Sequence, residues 1–175
     1  GFTGLMNNGK DPDSLYNATI DGFIMGGAVG LATVPADSGT MLHNTQRQAF
    51  HFGAMVDATT TAFTIESALV SPFFNNISPT LLKDEQQGIY LGNGDQDNYV
   101  FVGITPNMGN PSMVVIKENN GAISSNLYPI NGLLNGTLTV YLDVNPAAGT
   151  VQPKYKKTGD TVSTVLGPLI YLSGK

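Results

Sequence analysis

The chain has 175 residues, 41% of them apolar and 12% charged, with 21 glycines, no cysteine and a net charge of −5. That composition is too apolar and too weakly charged for a disordered chain. A chain of this length, read as one domain over 1–175, buries about 70% of its unfolded surface on folding and needs no staples. Lacking cysteine, it has no disulfide, thiolate zinc site or cysteine nucleophile.

Polarity is carried by Asn, Thr, Ser and Gly, which suit turns and strands better than helices. Composition therefore points to an all-β protein. The basic residues number eight, and their largest cluster is Lys154, Lys156 and Lys157. A nucleic-acid partner needs a wider basic footprint to neutralise phosphates, so none is expected. No run approaches the ~18 apolar residues of a spanning helix, and membrane insertion is not expected either. The abrupt ends read as those of a mature form or of a module cut from a longer protein, the latter with neighbouring domains as partners.

In chain order, residues 1–19 lack periodicity and read as an irregular lead-in. Ile20 to Met25 is a short strand, and Gly26 to Thr45 a long Gly- and Ser-rich loop. Arg47 to Val56 and Ala62 to Val70 alternate, and Asp57 to Thr61 between them suggests a hairpin. Ser71 to Lys83 is a loop. Gln86 to Ile104 is the clearest hairpin, with apolar Ile89 and Leu91 answered by Val100, Val102 and Ile104 across an acidic turn. Ser112 to Glu118 and Ala122 to Tyr128 flank Asn119-Asn120-Gly121, a strong hairpin signal. Thr137 to Val144 puts Leu138, Val140, Leu142 and Val144 on one face and Thr137, Thr139, Tyr141 and Asp143 on the other. A tight turn at Asn145 to Gly149 leads to Val151 to Lys157, and a last strand falls within Val162 to Tyr171. About ten strands with turn signals every ~8–12 residues make an antiparallel sandwich or barrel.

Gly88-Ile-Tyr-Leu-Gly92 followed by Gly94-Asp-Gln-Asp-Asn-Tyr-Val100 resembles a segment of concanavalin A-like lectin/glucanase sandwich modules, and similar patterns occur in laminin G-like modules. Val140 to Tyr155 is similar to a strand-turn-strand of bacterial extracellular modules of this kind, and Asn44 to Phe52 to their first long strand. The resemblance implies an antiparallel β-sandwich of jelly-roll type, secreted or on the cell surface. It spans lectins, spacers and enzymes, so fold does not settle function. The Glu-x-Asp-x-x-Glu strand of the family's glucanases, which sets two carboxylates across a sugar, is missing. Glu66 stands alone on its strand, and Asp84 and Glu85 are adjacent and point apart. The lyase signatures are missing too. The expectation is a non-catalytic carbohydrate-binding or adhesion module whose partner is a glycan or cell-surface polysaccharide. A spacer or protein-interaction module is the alternative, followed by a hydrolase or lyase with a divergent centre.

Two sets of residues are candidates for the site. Asn93, Asp95 and Asp97 alternate as at the start of an EF-hand loop, but Asn98 and Ile104 occupy the positions that require Gly and Glu. A simpler Ca²⁺ site is one reading, because hard oxygen ligands suit that ion. A turn shaped by side chain–backbone hydrogen bonds is the other. Asp11 with Asp13, and Asp143 with Asn145, are weaker pairs. The second set is the outward face of the strands, with Arg47, His51, Glu66, Tyr90, Tyr99, Phe101 and Tyr141. Were these strands in one sheet, aromatic rings beside hydrogen-bonding groups would suit sugars. Loops covering that face would instead make the rings a minor core. His43 and His51, with no third ligand nearby, do not make a zinc site. The sequons at Asn17, Asn76 and Asn135 matter only in a eukaryotic host.

Overall fold

The computed structural model describes residues 4–5, 23–26, 29–32, 50–51, 54–75, 85–93 and 97–172. The fold is all-β, and its strands are β1 (Gly4–Leu5), β2 (Phe23–Gly26), β3 (Val29–Ala32), β4 (Phe50–His51), β5 (Phe63–Val70), β6 (Gln87–Gly92), β7 (Asn98–Thr105), β8 (Ser112–Asn119), β9 (Ala122–Pro129), β10 (Thr137–Asn145), β11 (Thr150–Lys157), β12 (Thr164–Val165) and β13 (Ile170–Tyr171). Two antiparallel sheets dominate. One runs β6-β7-β8-β9; the other runs β5-β10-β11, with β12 and β13 sharing the far edge of β11.

The sheets pack face to face because their strands alternate. From the four-stranded sheet, Val100, Val102 and Ile104 of β7 and Met113 and Val115 of β8 enter the common core. From the other sheet come Leu138, Val140, Leu142 and Val144 of β10, with Val151 and Tyr155 of β11. Leu133, Leu134 and Leu166 complete it from the connections. Losing one of these side chains, as in Leu142→Ala, costs about 2–5 kcal/mol.

Local turn chemistry sets most of the hairpins. The β8–β9 link is a two-residue turn in which Asn120 and Gly121 both take positive φ, 49° and 76°, the geometry that matches strand twist and favours Asn-Gly. The β10–β11 turn is closed by Asn145 Oδ1, which accepts from Ala148 N–H, and by the Pro146 carbonyl, which accepts from Gly149 N–H.

Among the described residues the expected hairpin between Arg47–Val56 and Ala62–Val70 is not seen: Phe50 and His51 pair with β1, and β5 pairs with β10. Residues 54–56 are not strand, and Met55 is fully exposed (101%). Instead Asp57 Oδ1 accepts from Thr59 N–H and from the Thr59 and Thr60 hydroxyls, while Asp57 N–H donates to Thr60 Oγ1. This turn closes on itself before β5, which pairs with β10. There Phe63 stands opposite Val144, Ile65 opposite Leu142 and Leu69 opposite Leu138. These apolar cross-strand pairs hold β5 against β10.

Smaller departures lie near the ends. β1, inside the expected lead-in, pairs with β4, and β3, inside the expected loop, pairs with β2. The last strand divides into β12 and β13, and Pro153 supplies the reason. The Pro153 carbonyl accepts from Leu166 N–H and so points to that edge. Its nitrogen faces the same way and has no hydrogen to donate. Gly167, at φ 72°, turns the chain across the gap, and the Gln152 side-chain amide bridges to the Gly167 carbonyl.

The central strands of the four-stranded sheet, β7 and β8, are buried on their other face too. Tyr99, Phe101, Val114 and Ile116 form a second apolar cluster, with Tyr90 and Ile123 against it. Gly88 and Gly103 stand directly opposite one another beneath it. A methyl on Gly103 would lie 2.5 Å from Phe101 Cζ, and one on Gly88 2.7 Å. The glycine pair thus leaves the slot that the Phe101 ring fills. Gly103→Ala should destabilise the domain by about 1–3 kcal/mol through overpacking, read as a lower urea midpoint. An unchanged midpoint would show that the ring is not seated there.

Candidate functional site

Among the described residues, an open face belongs to the β5-β10-β11 sheet. Because β10 sends its even-numbered residues to the core, its odd-numbered ones point outward, and β5 and β11 follow in register. One row across the sheet reads Glu66, Tyr141, Lys154 and Val165. The flanking rows read Thr64, Asp143 and Gln152 on one side and Ala68, Thr139 and Lys156 on the other. Direct cross-strand neighbours have Cβ atoms about 4.5–5.5 Å apart, so Glu66 and Lys154 both flank the Tyr141 ring.

Two kinds of polar group occupy this face. Asp143 is committed: its Oδ2 pairs with Lys154 Nζ, and its Oδ1 accepts from the Thr64 hydroxyl at 2.7 Å. Partial burial would raise its pKa, but hydrogen bonds from Lys154 and Thr64 and the Lys154 charge together hold it below the ordinary value of 3.8. Glu66, Tyr141 and Lys156 are uncommitted, with no side-chain hydrogen bond among the described residues. Exposed ion pairs contribute about 0–1 kcal/mol, far less than one core leucine. The face can therefore be altered without loss of the fold.

The sequence-predicted residues fall in different places. Glu66 and Tyr141 are neighbours on the open face, brought together by a strand pairing across more than half the described chain. Tyr90, Tyr99 and Phe101 lie on the other sheet in the second core, where Tyr99 is 3% and Phe101 6% exposed. These strands do not share one sheet with β5 and β10, as the aromatic-face reading required. Desolvation raises the Tyr90 phenol pKa. Burial first, and then the Glu118 carboxylate opposite, raise that of Tyr99. Arg47 and Asp95 lie outside the described residues, as does the side chain of His51, whose strand pairs with β1. Asn93 N–H donates to the Asn98 carbonyl, and the Asp97 carbonyl accepts from Gly121 N–H, tying the β6–β7 turn to the β8–β9 turn. Among the described residues no three His, Asp or Glu side chains converge as metal ligands, and no helix is long and apolar enough to cross a membrane.

Lys154 and Lys156 join the face without having been singled out as site residues, and Asp143, offered only as a weaker metal pair with Asn145, pairs with Lys154 instead. Their signal was the polar alternation of Gln152, Lys154 and Lys156, legible once β11 is paired with β10. No family model matches the sequence, and comparison with curated proteins and with solved structures finds no match.

Two outcomes follow. Tyr99→Ala should cost about 3–5 kcal/mol, as for a buried aromatic, measured by urea unfolding; a change near zero would return Tyr99 to the surface. Asp143, with its depressed pKa, contributes stability that is present above the ordinary carboxylate range and is lost as pH falls through the folded value. Asp143→Asn should therefore flatten the fall in melting temperature below about pH 4, and parallel curves for variant and parent would remove Asp143 from the acid transition.

Proposed function

We propose that the chain is a non-catalytic carbohydrate-binding or adhesion module of a larger extracellular protein, a jelly-roll sandwich of the concanavalin A-like kind. The observation that carries this reading is the open row in which Tyr141 stands between Glu66 and Lys154. A sugar ring presents C–H groups on its faces and hydroxyls at its edges. Tyr141 offers an apolar surface to the first, and Glu66 and Lys156 offer an uncommitted acceptor and donor to the second. Stacking on an aromatic face contributes about 0.5–1.5 kcal/mol beyond burial. A few such contacts amount to the weak, reversible affinity of a module that acts in several copies or beside other domains.

The same face speaks for binding rather than hydrolysis. Glu66 and Asp143 are diagonal neighbours, the only carboxylates of the face among the described residues. A glycosidase acid needs a raised pKa so that it holds a proton to give. Asp143 is biased the opposite way by Lys154 and Thr64. The adhesion reading needs no calcium; a Ca²⁺ site in the β6–β7 turn would act on the hairpin's stability rather than on this face.

A glycan array is the direct test. The parent should bind a subset of glycans, and Tyr141→Ala should abolish the signal with an unchanged melting temperature. Glu66→Gln should weaken it by about three- to tenfold, the loss of a charge-assisted hydrogen bond. Binding that survives both substitutions would place the site elsewhere. An array blank for the parent would favour a spacer or protein-interaction module.

A further inference from the structure

The open face carries a second exposed aromatic, Tyr171, which is 66% exposed. Its place follows from register. Tyr171 stands opposite Thr150, and Thr150 opposite Asn145. Thr150 belongs to the even-numbered residues of β11, the side opposite the buried Val151 and Tyr155, so Tyr171 projects on the same side as Tyr141. Its neighbour Ile170 goes to the core. The position is anchored from below, because Lys117 Nζ donates to the Tyr171 carbonyl at 2.7 Å.

From Tyr141 to Tyr171 is two strands across and four residues along. Strand spacing of about 4.8 Å and a rise of about 3.4 Å per residue put the two positions roughly 16 Å apart. No single sugar ring bridges that span. Gln152 lies between them on β11, with Lys154 beside Tyr141, and Val165, 55% exposed, lies off the diagonal in the row of Tyr141. The strands of this face contribute two carboxylates, Glu66 and Asp143, and two ammonium groups, Lys154 and Lys156. Its charges cancel, so it offers a polyanion or polycation no net attraction.

We infer that the ligand of this face is an extended, uncharged polysaccharide that lies diagonally across β10, β11 and β13, stacking on Tyr141 and Tyr171 at its two ends. This rests on the carbohydrate-binding reading and deepens it: the module takes the inside of a neutral chain, where a terminal sugar or a charged glycan would use only one ring or the wrong field.

The test uses xylan, cellulose, mannan and galactan, with alginate as the polyanionic counterpart, followed by an oligomer ladder of whichever polymer binds. Isothermal titration should show affinity rising with oligomer length until both rings are spanned. Tyr171→Ala should lower affinity for the long oligomers by about tenfold and leave the shortest binding oligomer unchanged, whereas Tyr141→Ala weakens both. Melting curves of both variants should match the parent. Affinity independent of length, preference for alginate, or no effect of Tyr171→Ala on long oligomers would overturn the extended neutral ligand while Tyr141 sensitivity kept the carbohydrate reading. Failure of every polysaccharide and oligomer to bind the parent would overturn both.

Discussion

The alternation of β10 is the constraint on which the rest depends. Leu138, Val140, Leu142 and Val144 are all but fully buried between the sheets, and each such side chain is worth about 1.5–3 kcal/mol of transfer free energy. A slip of one residue would send all four to solvent. Their burial thereby fixes, to the residue, which side chains of β5 and β11 stand beside Tyr141 on the other face. The open row is a by-product of core packing, and its geometry is as secure as the core.

The second sheet shows the same alternation put to a different end. Its inner residues serve the common core, and its outer residues serve a second cluster in which Phe101 lies back over Gly88 and Gly103. Glycines opposed across two strands would ordinarily weaken a sheet through lost packing; here the ring occupies the space the missing side chains leave. Burying Tyr99 beside Glu118 within that cluster keeps the phenol protonated. Aromatics in such surroundings stabilise, and they are not presented to a ligand.

What could be read from the residues follows the range of the forces involved. The Gln86–Ile104 hairpin, the Asn120-Gly121 turn and the two faces of β10 were legible because each is set by neighbours a few positions apart. The partner of β5 was not. Asp57 to Thr61 has the composition of a hairpin link, whereas the strand that β5 pairs with, β10, begins more than sixty residues later. The division of the last strand was likewise hidden, since it depends on Pro153 lacking a donor on one edge of β11. For the site, alternation correctly turned Glu66 and Tyr141 outward. It could not tell an outward face that is open from one that is covered, and Tyr90, Tyr99 and Phe101 fell on the covered side.

That difference bears on how the open face would work. Tyr141 and Tyr171 sit on strands whose opposite faces are locked in the core, so their separation does not adjust to a ligand. A flat, preorganised pair of rings loses little conformational entropy on binding, and it selects by fit between ring spacing and polymer repeat. Lys154 cannot swing freely into this arrangement while it is paired with Asp143, and Asp143 is held in turn by Thr64. The ion pair contributes little to stability. Its effect is to fix the position of a charge beside Tyr141, so that the charged groups left to engage a ligand are Glu66 and Lys156, one on either side of Tyr141. Specificity at such a face would come from the orientation of hydroxyls about the Tyr141 position, and chain length from the distance to Tyr171.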